Sequence, residues 1–322
     1  MQPDGPGCGL GRGLPHSNSF NMNLAFSSNA YLNYSFSEAV RRIASIGYRG
    51  IEVMADVPHA WPAFLLSEQK QAIRDSLAAH NLAISNVNAF MMHAVNDRRQ
   101  RYWHPSWMEP DPHYRAVRVD HTKRALTLAR ELGARCITTE PGGPVAPGQS
   151  WSAALKLFVE ELKPVAEHAE KEGVLLLVEP EPGLLIEIAE QFEEFMRHVD
   201  SPAVGLNFDV GHMYCVGEDP AAALRRLARF VRHVHLEDIA ASRVHQHLVP
   251  GAGAIDFPAT FQALREIGYE GWVTVELYPY IDDPDGAARA AFEFVHAVAN
   301  QVGMSDNGPM VRHSFIPAAP SP

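Results

Sequence analysis

The chain has 322 residues, of which 46% are hydrophobic and 20% are charged. This composition is typical of a globular protein and excludes a chain that is disordered or fibrous throughout. Lys and Arg together number 27 against 38 for Asp and Glu, which gives a formal net charge of -11. Because such an acidic surface repels phosphate backbones and anionic lipid, we expect neither nucleic acid nor a membrane as a partner.

Three cysteines, Cys8, Cys136 and Cys215, are widely spaced and form no CxxC pair. They fit neither a disulfide framework nor a zinc knuckle, so we expect a reducing compartment, and we expect Cys136 and Cys215 to be small core residues rather than nucleophiles. No apolar run approaches the roughly 18 residues of a membrane span, and the N-terminus lacks the apolar core of a secretion signal. The sequence therefore predicts a cytoplasmic protein.

The composition changes twice along the chain. Residues 1–20 alternate Gly with Pro and small polar residues, and residues 303–322 have a similar character, so both ends are predicted to be flexible tails. The region 21–302 is predicted to form one folded domain.

Short apolar runs alternate with longer amphipathic ones throughout this domain. The runs predict strands at residues 22–27, 50–54, 83–90, 135–140, 174–180, 204–210, 231–238 and 272–278. The amphipathic segments predict helices at residues 35–47, 67–81, 114–133, 150–173, 188–199, 219–230, 257–268 and 283–301. Several of these helices begin after Ser or Asp and end at Gly or Asn, as capping requires.

Strict alternation of strand and helix indicates parallel strands joined by right-handed crossovers. Eight such units match a (β/α)8 TIM barrel, and a doubly wound sheet is the alternative. One interval is too long for a simple connection. Residues 91–114, between the third strand and the third helix, are rich in aromatic residues, Arg, His and Pro. They form either a lid or substrate wall or a plain surface loop.

Polar residues at the ends of the last four predicted strands point to a metal site. These strands deliver Glu179, Asp209, His235 and Glu276 to one rim of the barrel. A single Glu at a strand end is usually a solvated or capping residue. Three carboxylates and an imidazole on four successive strands, however, would be costly to bury without a partner. A divalent cation offsets this cost. Mixed oxygen and nitrogen ligands suit Mn²⁺, Mg²⁺ or Co²⁺.

The roles of the other polar residues in the strands do not follow from their spacing alone. His233, His235 and Glu237 share one face of the seventh strand, so the period of two does not tell which imidazole binds the metal. Glu52 and Glu140, on the second and fourth strands, are predicted to have structural or substrate-positioning roles.

Six segments together resemble one known family: GYRGIEVMAD, LLLVEPEPG, VGLNFDVGHM, VRHVHLEDI, HLVPGAGAIDF and GWVTVELY. In order and spacing they are similar to the xylose-isomerase-like barrels of sugar isomerases and epimerases, over about residues 22–300. The resemblance implies that one divalent metal is held by four ligands, which are Glu179, Asp209, His235 in preference to His233, and Glu276. It also implies that Glu179 and Glu276 transfer protons, that His212 binds substrate, and that the PGAGAID loop closes on substrate near His247.

The chain departs from the ketose epimerases of this family at one position. They carry an Arg six residues after the ligand His, where this chain has Ala241, and the nearest Arg is Arg243. Ketose 3-epimerisation is therefore disfavoured. Further substrate contacts are predicted for His93, Asn88 and Arg243, in addition to His212 and His247.

These residues predict a metal-dependent isomerase or epimerase of a sugar or polyol-derived ketone, which moves a proton through a metal-stabilised enediolate. The same groups could instead eliminate water or an aglycone, as a lyase or dehydratase does. A non-catalytic ligand-binding barrel is a third hypothesis, and the net charge disfavours an abasic-site endonuclease. The expected partner is a small carbohydrate, and the aromatic segment YWHPSWMEP is a candidate contact of a homo-oligomer.

Overall fold

A computed structural model of the chain describes residues 20–99 and 103–306. Most of the predicted N-terminal arm, the predicted tail beyond residue 306, and Cys8 lie outside the described residues. Among the described helices, none combines the length and the apolarity that a membrane span requires.

Eight parallel strands close into a barrel, which confirms the predicted TIM fold. The strands are β1 (Phe20–Ser27), β2 (Gly50–Met54), β3 (Ala83–Asn88), β4 (Cys136–Thr139), β5 (Leu175–Val178), β6 (Val204–Asp209), β7 (Val231–Leu236) and β8 (Trp272–Val275). Each strand pairs with the next along the chain, and β8 pairs with β1 to complete the cylinder. All carboxyl ends of the strands therefore meet at one rim.

The helices of the described residues follow the strands in sequence. They are α1 (Phe36–Ile46), α2 (Ser67–Ala79), α3 (Pro112–Leu132), α4 (Trp151–Glu172), α5 (Ala189–His198), α6 (Val210–Cys215), α7 (Pro220–Leu227), α8 (Phe257–Glu266) and α9 (Pro284–Gln301). The first of them shows why they form. Ser35 accepts a hydrogen bond from the Glu38 N–H at the start of α1, and the buried residues Phe36, Val40 and Ile43 recur on one face.

Several strands end earlier than the sequence predicts. Strand β3 stops at Asn88 because its side chain accepts a hydrogen bond from the Phe90 N–H and turns the backbone. Strand β6 is followed at once by α6, which the sequence did not predict, because Asp209 accepts a bond from the His212 N–H and caps that helix. Val210, predicted as the end of a strand, is therefore helical.

The predicted tail begins with a ninth strand, β9 (Met304–Asp306), which corrects the prediction for these residues. It pairs in parallel with the first three residues of β1, so β1 also begins one residue inside the predicted arm. Strands β2 and β8 pair with β1 only from residue 23 onward. The start of β1 thus offers a free edge that β9 covers.

The long connection between β3 and α3 is tied down at several points. Arg99 donates hydrogen bonds to Asp97 and Glu109, and Glu109 also accepts the Ser106 N–H. Trp107 is fully buried, and its indole N–H donates to Thr139 on β4. The described part of this connection is therefore a packed segment rather than a plain surface loop.

A buried arginine fixes this segment to α3. Arg118 donates to the backbone carbonyls of Pro105, Ala89 and Phe90, at 2.9, 3.2 and 2.6 Å. Its Nε lies 3.6 Å from Glu140 Oε1, and both side chains are completely buried. Glu140 thus contacts Arg118 in the core, which fits the first of the two roles that the sequence left open, structural or substrate-positioning.

The two cysteines within the described residues are free thiols. Cys136 is buried on β4, and Cys215 is partly buried at the end of α6. Burial raises the pKa of both thiols to about 12, so neither forms a thiolate readily at neutral pH.

The buried His121 on α3 is expected to make the free energy of unfolding depend on pH in the acid range. Its ring is buried and stacks on Trp61 at 4.8 Å, and burial lowers its pKa to about 3. Because the unfolded chain binds this proton near pH 6.5 and the folded chain near pH 3, the free energy of unfolding falls with acidification by about 1.4 kcal/mol per pH unit between these values. We expect His121→Gln to flatten this dependence.

The measurement is urea unfolding at pH 7, 6 and 5. His113→Gln, which changes an exposed histidine near the start of the same helix, is the control and should keep the wild-type slope. Equal slopes for His121→Gln and the wild type would reject the assignment.

Candidate metal centre

The four predicted ligands converge at the carboxyl rim of the barrel. Glu179 and Glu276 directly follow β5 and β8, Asp209 ends β6, and His235 lies in β7. All four are buried, and one ligand atom of each lies within 4.8 Å of the others.

His235 occupies the middle of this group. Its Nδ1 lies 2.9 Å from Glu179 Oε1, 3.6 Å from Glu276 Oε2 and 3.9 Å from Asp209 Oδ2. Its Nε2 lies 2.7 Å from Glu52 Oε2 on β2. When Glu52 accepts the Nε2 proton, the Nδ1 lone pair faces the three carboxylates, as a metal-ligating imidazole requires.

The charges of the group also fit a cation. Burial alone would lower the pKa of His235, but Glu179, Glu52 and Glu276 outweigh it and raise that pKa well above its usual value. Burial raises the pKa of Glu276 well above its ordinary value, and the neighbouring carboxylate of Glu179 adds to the rise. Positive charge is therefore favoured at this point, and a divalent cation supplies it more fully than one proton.

Asp209 presents one oxygen to the centre. Its Oδ1 accepts the His212 N–H at 2.7 Å. Its Oδ2 is buried and accepts no N–H bond from the residues that the structure describes, and the Asp209 side chain also forms a hydrogen bond with the carboxyl group of Glu237. Such an oxygen, beside two carboxylates and an imidazole nitrogen, suits a metal ligand.

Amide side chains orient the other two carboxylates. Glu276 Oε1 accepts bonds from Asn29 and Asn88, at 2.9 and 3.2 Å. Glu179 Oε2 accepts a bond from Asn207 at 2.9 Å. Asn88, predicted as a substrate contact, thus also positions a predicted metal ligand.

His233 and Glu237 lie next to the centre without joining the four ligands. His233 lies 2.8 Å from Asn207 Oδ1 and 2.9 Å from Thr274 Oγ1, and burial lowers its pKa to about 3. Burial and the charge of Asp209 raise the pKa of Glu237 well above its ordinary value, which favours its neutral form. A Cβ at Gly211 would lie 1.8 Å from Glu237 Oε1, so only glycine fits there.

A cavity of about 370 Å³ opens above the centre. Its polar lining consists of Asn88, Glu179, Glu181, His212, His245, His247 and Glu276. Its apolar and aromatic lining consists of Phe90, Met92, Trp103, Pro182 and Tyr278. Three of the latter come from the long connection between β3 and α3, which therefore forms a wall of the cavity. Burial raises the pKa of Glu181 to about 7.

Two predicted substrate contacts do not line this cavity. Arg243 is exposed, its Nη1 donates to the Tyr214 carbonyl at 2.6 Å, and its guanidinium lies over the Tyr214 ring. His93 belongs to the long connection, where its backbone N–H donates to Asp56 Oδ2 at 2.6 Å. His212 and His247, by contrast, face the cavity.

Sequence reasoning gave Glu52 a structural or substrate-positioning role, and it missed Asn207, Glu181 and His245. Glu52 and Asn207 orient the ligands, and Glu181 and His245 line the cavity. Asn207, Glu181 and His245 each lie two positions from a residue that was predicted. The alternation of side chains along β6 could have identified Asn207, whereas Glu181 and His245 lie outside the strands.

The loop after β7 is held by one carboxylate. Asp238 accepts four backbone N–H groups, from Ile239, Gly251, Gly253 and Ile255, at 2.8 to 3.1 Å. Removing the carboxylate leaves these donors without their acceptor and releases the loop that carries His247.

We therefore expect Asp238→Ala to speed proteolysis within residues 239–256 by at least about tenfold, since losing hydrogen bonds to a charged group costs about 1.5–3 kcal/mol each. Limited proteolysis with mass spectrometry measures this rate. The control is Asp120→Ala, an exposed aspartate of α3. Unchanged cleavage of the loop would contradict the prediction.

Comparison with known proteins agrees with the barrel fold. A family model described as the xylose isomerase-like TIM barrel matches residues 40–298. The inosose dehydratase of Clostridium beijerinckii is 26% identical over 294 residues, covering 81% of this chain and 89% of that protein. Relatives of the chain are thus named as enzymes of small carbohydrate substrates.

Two solved structures share the fold. A D-tagatose 3-epimerase-like protein has a TM-score of 0.72 at 22% identity, covering 87% of this chain and 100% of that one. The IolI protein, crystallised with a bound zinc atom, has a TM-score of 0.71 at 21% identity, covering 87% and 99%. The resemblance predicted from the sequence is confirmed, and the chain belongs to the xylose isomerase-like TIM barrel family.

Proposed function

We propose that the protein is a divalent-metal-dependent lyase that removes water from a small polyhydroxylated ketone of the inosose class. The observation that carries this proposal is the convergence of Glu179, Asp209, His235 and Glu276 beneath a cavity of about 370 Å³. The name of the curated relative, inosose dehydratase, supports elimination as the outcome.

The carboxylates beside the cavity supply the proton transfer. Glu179, Asp209, His235 and Glu276 would hold the cation, which when bound would act as a Lewis acid on a ketone oxygen and so acidify the neighbouring C–H bond. Glu179 and Glu276 follow strands β5 and β8, with β6 and β7 between them, so they reach the cavity from different directions. One of them accepts the proton from carbon, a contribution worth roughly 10²- to 10⁴-fold in rate.

Elimination also needs an acid for the departing hydroxyl. The C–O bond breaks as the C–H electron pair forms the new double bond, and the leaving oxygen takes a proton to become water. Glu181 lines the same cavity and is not one of the four predicted ligands. It is the third carboxyl group available for this step.

A second candidate is isomerisation or epimerisation, in which the proton returns to carbon without loss of water. The placement of two carboxylates on separated strands favours it, since each could serve one face of the substrate. The exposed Ala241, at the position where ketose 3-epimerases carry an arginine, disfavours that particular reaction.

The test incubates the metal-loaded protein with a keto-inositol and, separately, with ketohexoses in deuterated water. We expect the keto-inositol to lose water, followed by the ultraviolet absorption of the enolised dione and by proton NMR, while chelator-treated protein is inactive. Deuterium entering a ketohexose without dehydration of the keto-inositol would favour the second candidate. If the metal-loaded protein changes neither substrate, a non-catalytic barrel is supported instead.

A further inference from the structure

A buried carboxyl group in the connection after β2 holds part of the cavity wall. Asp56 is 1% exposed, and its two oxygens accept three backbone N–H groups. Oδ1 accepts the N–H of Val57 at 2.7 Å and that of Ala94 at 2.8 Å. Oδ2 accepts the N–H of His93 at 2.6 Å. Two of the three donors belong to the long connection between β3 and α3, so this carboxyl group joins two separate connections of the barrel.

Arg118 holds the other end of the same stretch of chain. Its guanidinium donates to the backbone carbonyl oxygens of Ala89 and Phe90. Residues 89–94, which we call the inner wall, are therefore fixed at both ends by buried side chains of other elements. The inner wall supplies Phe90 and Met92 to the lining of the cavity.

The backbone between these two fixed ends adopts an uncommon conformation. Met91 has a φ of 63°, in the left-handed region that residues other than glycine rarely occupy. Its side chain is 1% exposed, whereas its neighbours Phe90 and Met92 line the cavity. Such a conformation persists where the surrounding structure fixes it. When one end is released, we expect Met91 to relax toward negative φ, which turns Phe90 and Met92 relative to the cavity.

We propose that Asp56 is a positioning residue for the substrate, because it fixes the inner wall so that Phe90 and Met92 face the cavity. The connection from β2 to α2, which the structure describes completely, contributes no residue to the cavity lining. Asp56 therefore acts through the inner wall and not by touching the substrate. The assignment rests on the proposed function only for the identity of that substrate, a small polyhydroxylated ketone.

The expected effect is on substrate affinity rather than on the chemical step. The inner wall follows β3, whereas Glu179 and Glu276, the proposed proton-transferring groups, follow β5 and β8. Apolar contacts with the wall are made equally in the bound substrate and in the transition state. Their loss therefore raises KM and leaves kcat nearly unchanged.

Two substitutions remove the carboxyl group to different extents. In Asp56→Asn an NH₂ group replaces one acceptor oxygen, so at least one of the three bonds is lost, and Asp56→Ala loses all three. With a keto-inositol and metal-loaded protein, we expect KM to rise by about fivefold or more in Asp56→Asn and further in Asp56→Ala, while kcat stays within about threefold of the wild type. Amide hydrogen exchange of the inner wall, measured without substrate by mass spectrometry, should accelerate in the same order.

Asp219→Ala is the matched control. Asp219 also accepts backbone N–H groups, those of Ala221 and Ala222 at the start of α7, and it does not line the cavity. Its loss should leave KM and the exchange of the inner wall unchanged. If Asp56→Ala does not fold, Asp56→Asn decides alone, since it can keep one or two of its bonds.

Three results for Asp56→Asn would overturn the proposal. Unchanged exchange of the inner wall shows that the carboxyl group does not fix it. Faster exchange at the wild-type KM reduces Asp56 to a structural role. A lower kcat at an unchanged KM places the effect on the chemical step instead of on substrate affinity.

A failure of the proposed function is recognised in the wild type. If the metal-loaded wild type binds the keto-inositol without converting it, the proposed function is wrong, and the dissociation constant from calorimetry replaces KM. Weaker binding by Asp56→Asn then still supports the positioning role, and equal binding rejects it. If the wild type does not bind the keto-inositol at all, both proposals are overturned.

Discussion

Glu276→Gln is expected to lower the turnover number of the metal-loaded enzyme by about 10²- to 10⁴-fold, because an amide cannot accept the substrate proton. The substitution preserves shape, and Oε1 can still accept the bonds that Asn29 and Asn88 donate. The carboxylate oxygen that faces His235 Nδ1 at 3.6 Å is the one whose chemistry changes. Turnover should be measured at saturating substrate and metal, with the metal content determined in parallel, since the same change weakens a predicted ligand.

The matched control lies at the opposite end of the same strand. Glu270→Gln changes an exposed glutamate before β8 and should leave turnover within about twofold of the wild type. If metal-loaded Glu276→Gln keeps near-normal turnover on the true substrate, Glu276 does not transfer the proton and the proposed mechanism is wrong.

Arg118→Ala is expected to lower the free energy of unfolding by about 3–5 kcal/mol, which is among the largest effects of a single substitution. The change leaves the buried carboxyl of Glu140 without the guanidinium that lies 3.6 Å away. It also removes the donor from the carbonyls of Pro105, Ala89 and Phe90, which anchor the cavity wall to α3. Denaturant unfolding with a linear extrapolation measures the loss.

Arg124→Ala, on the same helix, is the control, because it removes an arginine that is exposed rather than buried. Arg124 pairs with Asp120 four residues earlier, and both side chains are at least half exposed, so its loss should cost less than about 1 kcal/mol. Equal costs for the two arginines would contradict the structural role given to Arg118. A paired variant, Arg118→Met with Glu140→Gln, should recover part of the loss because it also removes the buried carboxyl group that is left without a partner.

The barrel could be predicted because its signals are local. Each strand is a short apolar run, each helix begins at a polar cap, and their alternation implies the parallel order that the structure has. The convergence of the four predicted ligands follows from the same reasoning, because parallel topology brings the ends of β5 to β8 to one rim regardless of the intervening sequence. The choice of His235 over His233 needed the family resemblance, since both imidazoles face the barrel interior.

The supports of the centre could not be predicted, because they join residues far apart in the chain. Glu52 contacts His235 across 183 positions, and Asn29 contacts Glu276 across 247. Such pairs depend on which side-chain conformations fill the closed barrel, and no local pattern encodes them. Arg243 lies away from the cavity for the same reason, since its guanidinium packs on Tyr214 in α6.

Asp209 connects the predicted centre to the backbone around it. One oxygen of its carboxylate begins α6 and the other faces the ligand group, so ion binding and the order of that short helix are thermodynamically linked. Loading the centre should then slow amide hydrogen exchange in residues 210–215 as well as at the ligands themselves. Through Asp209 alone, the metal concentration around the protein would thereby control how rigid α6 is on its side of the cavity.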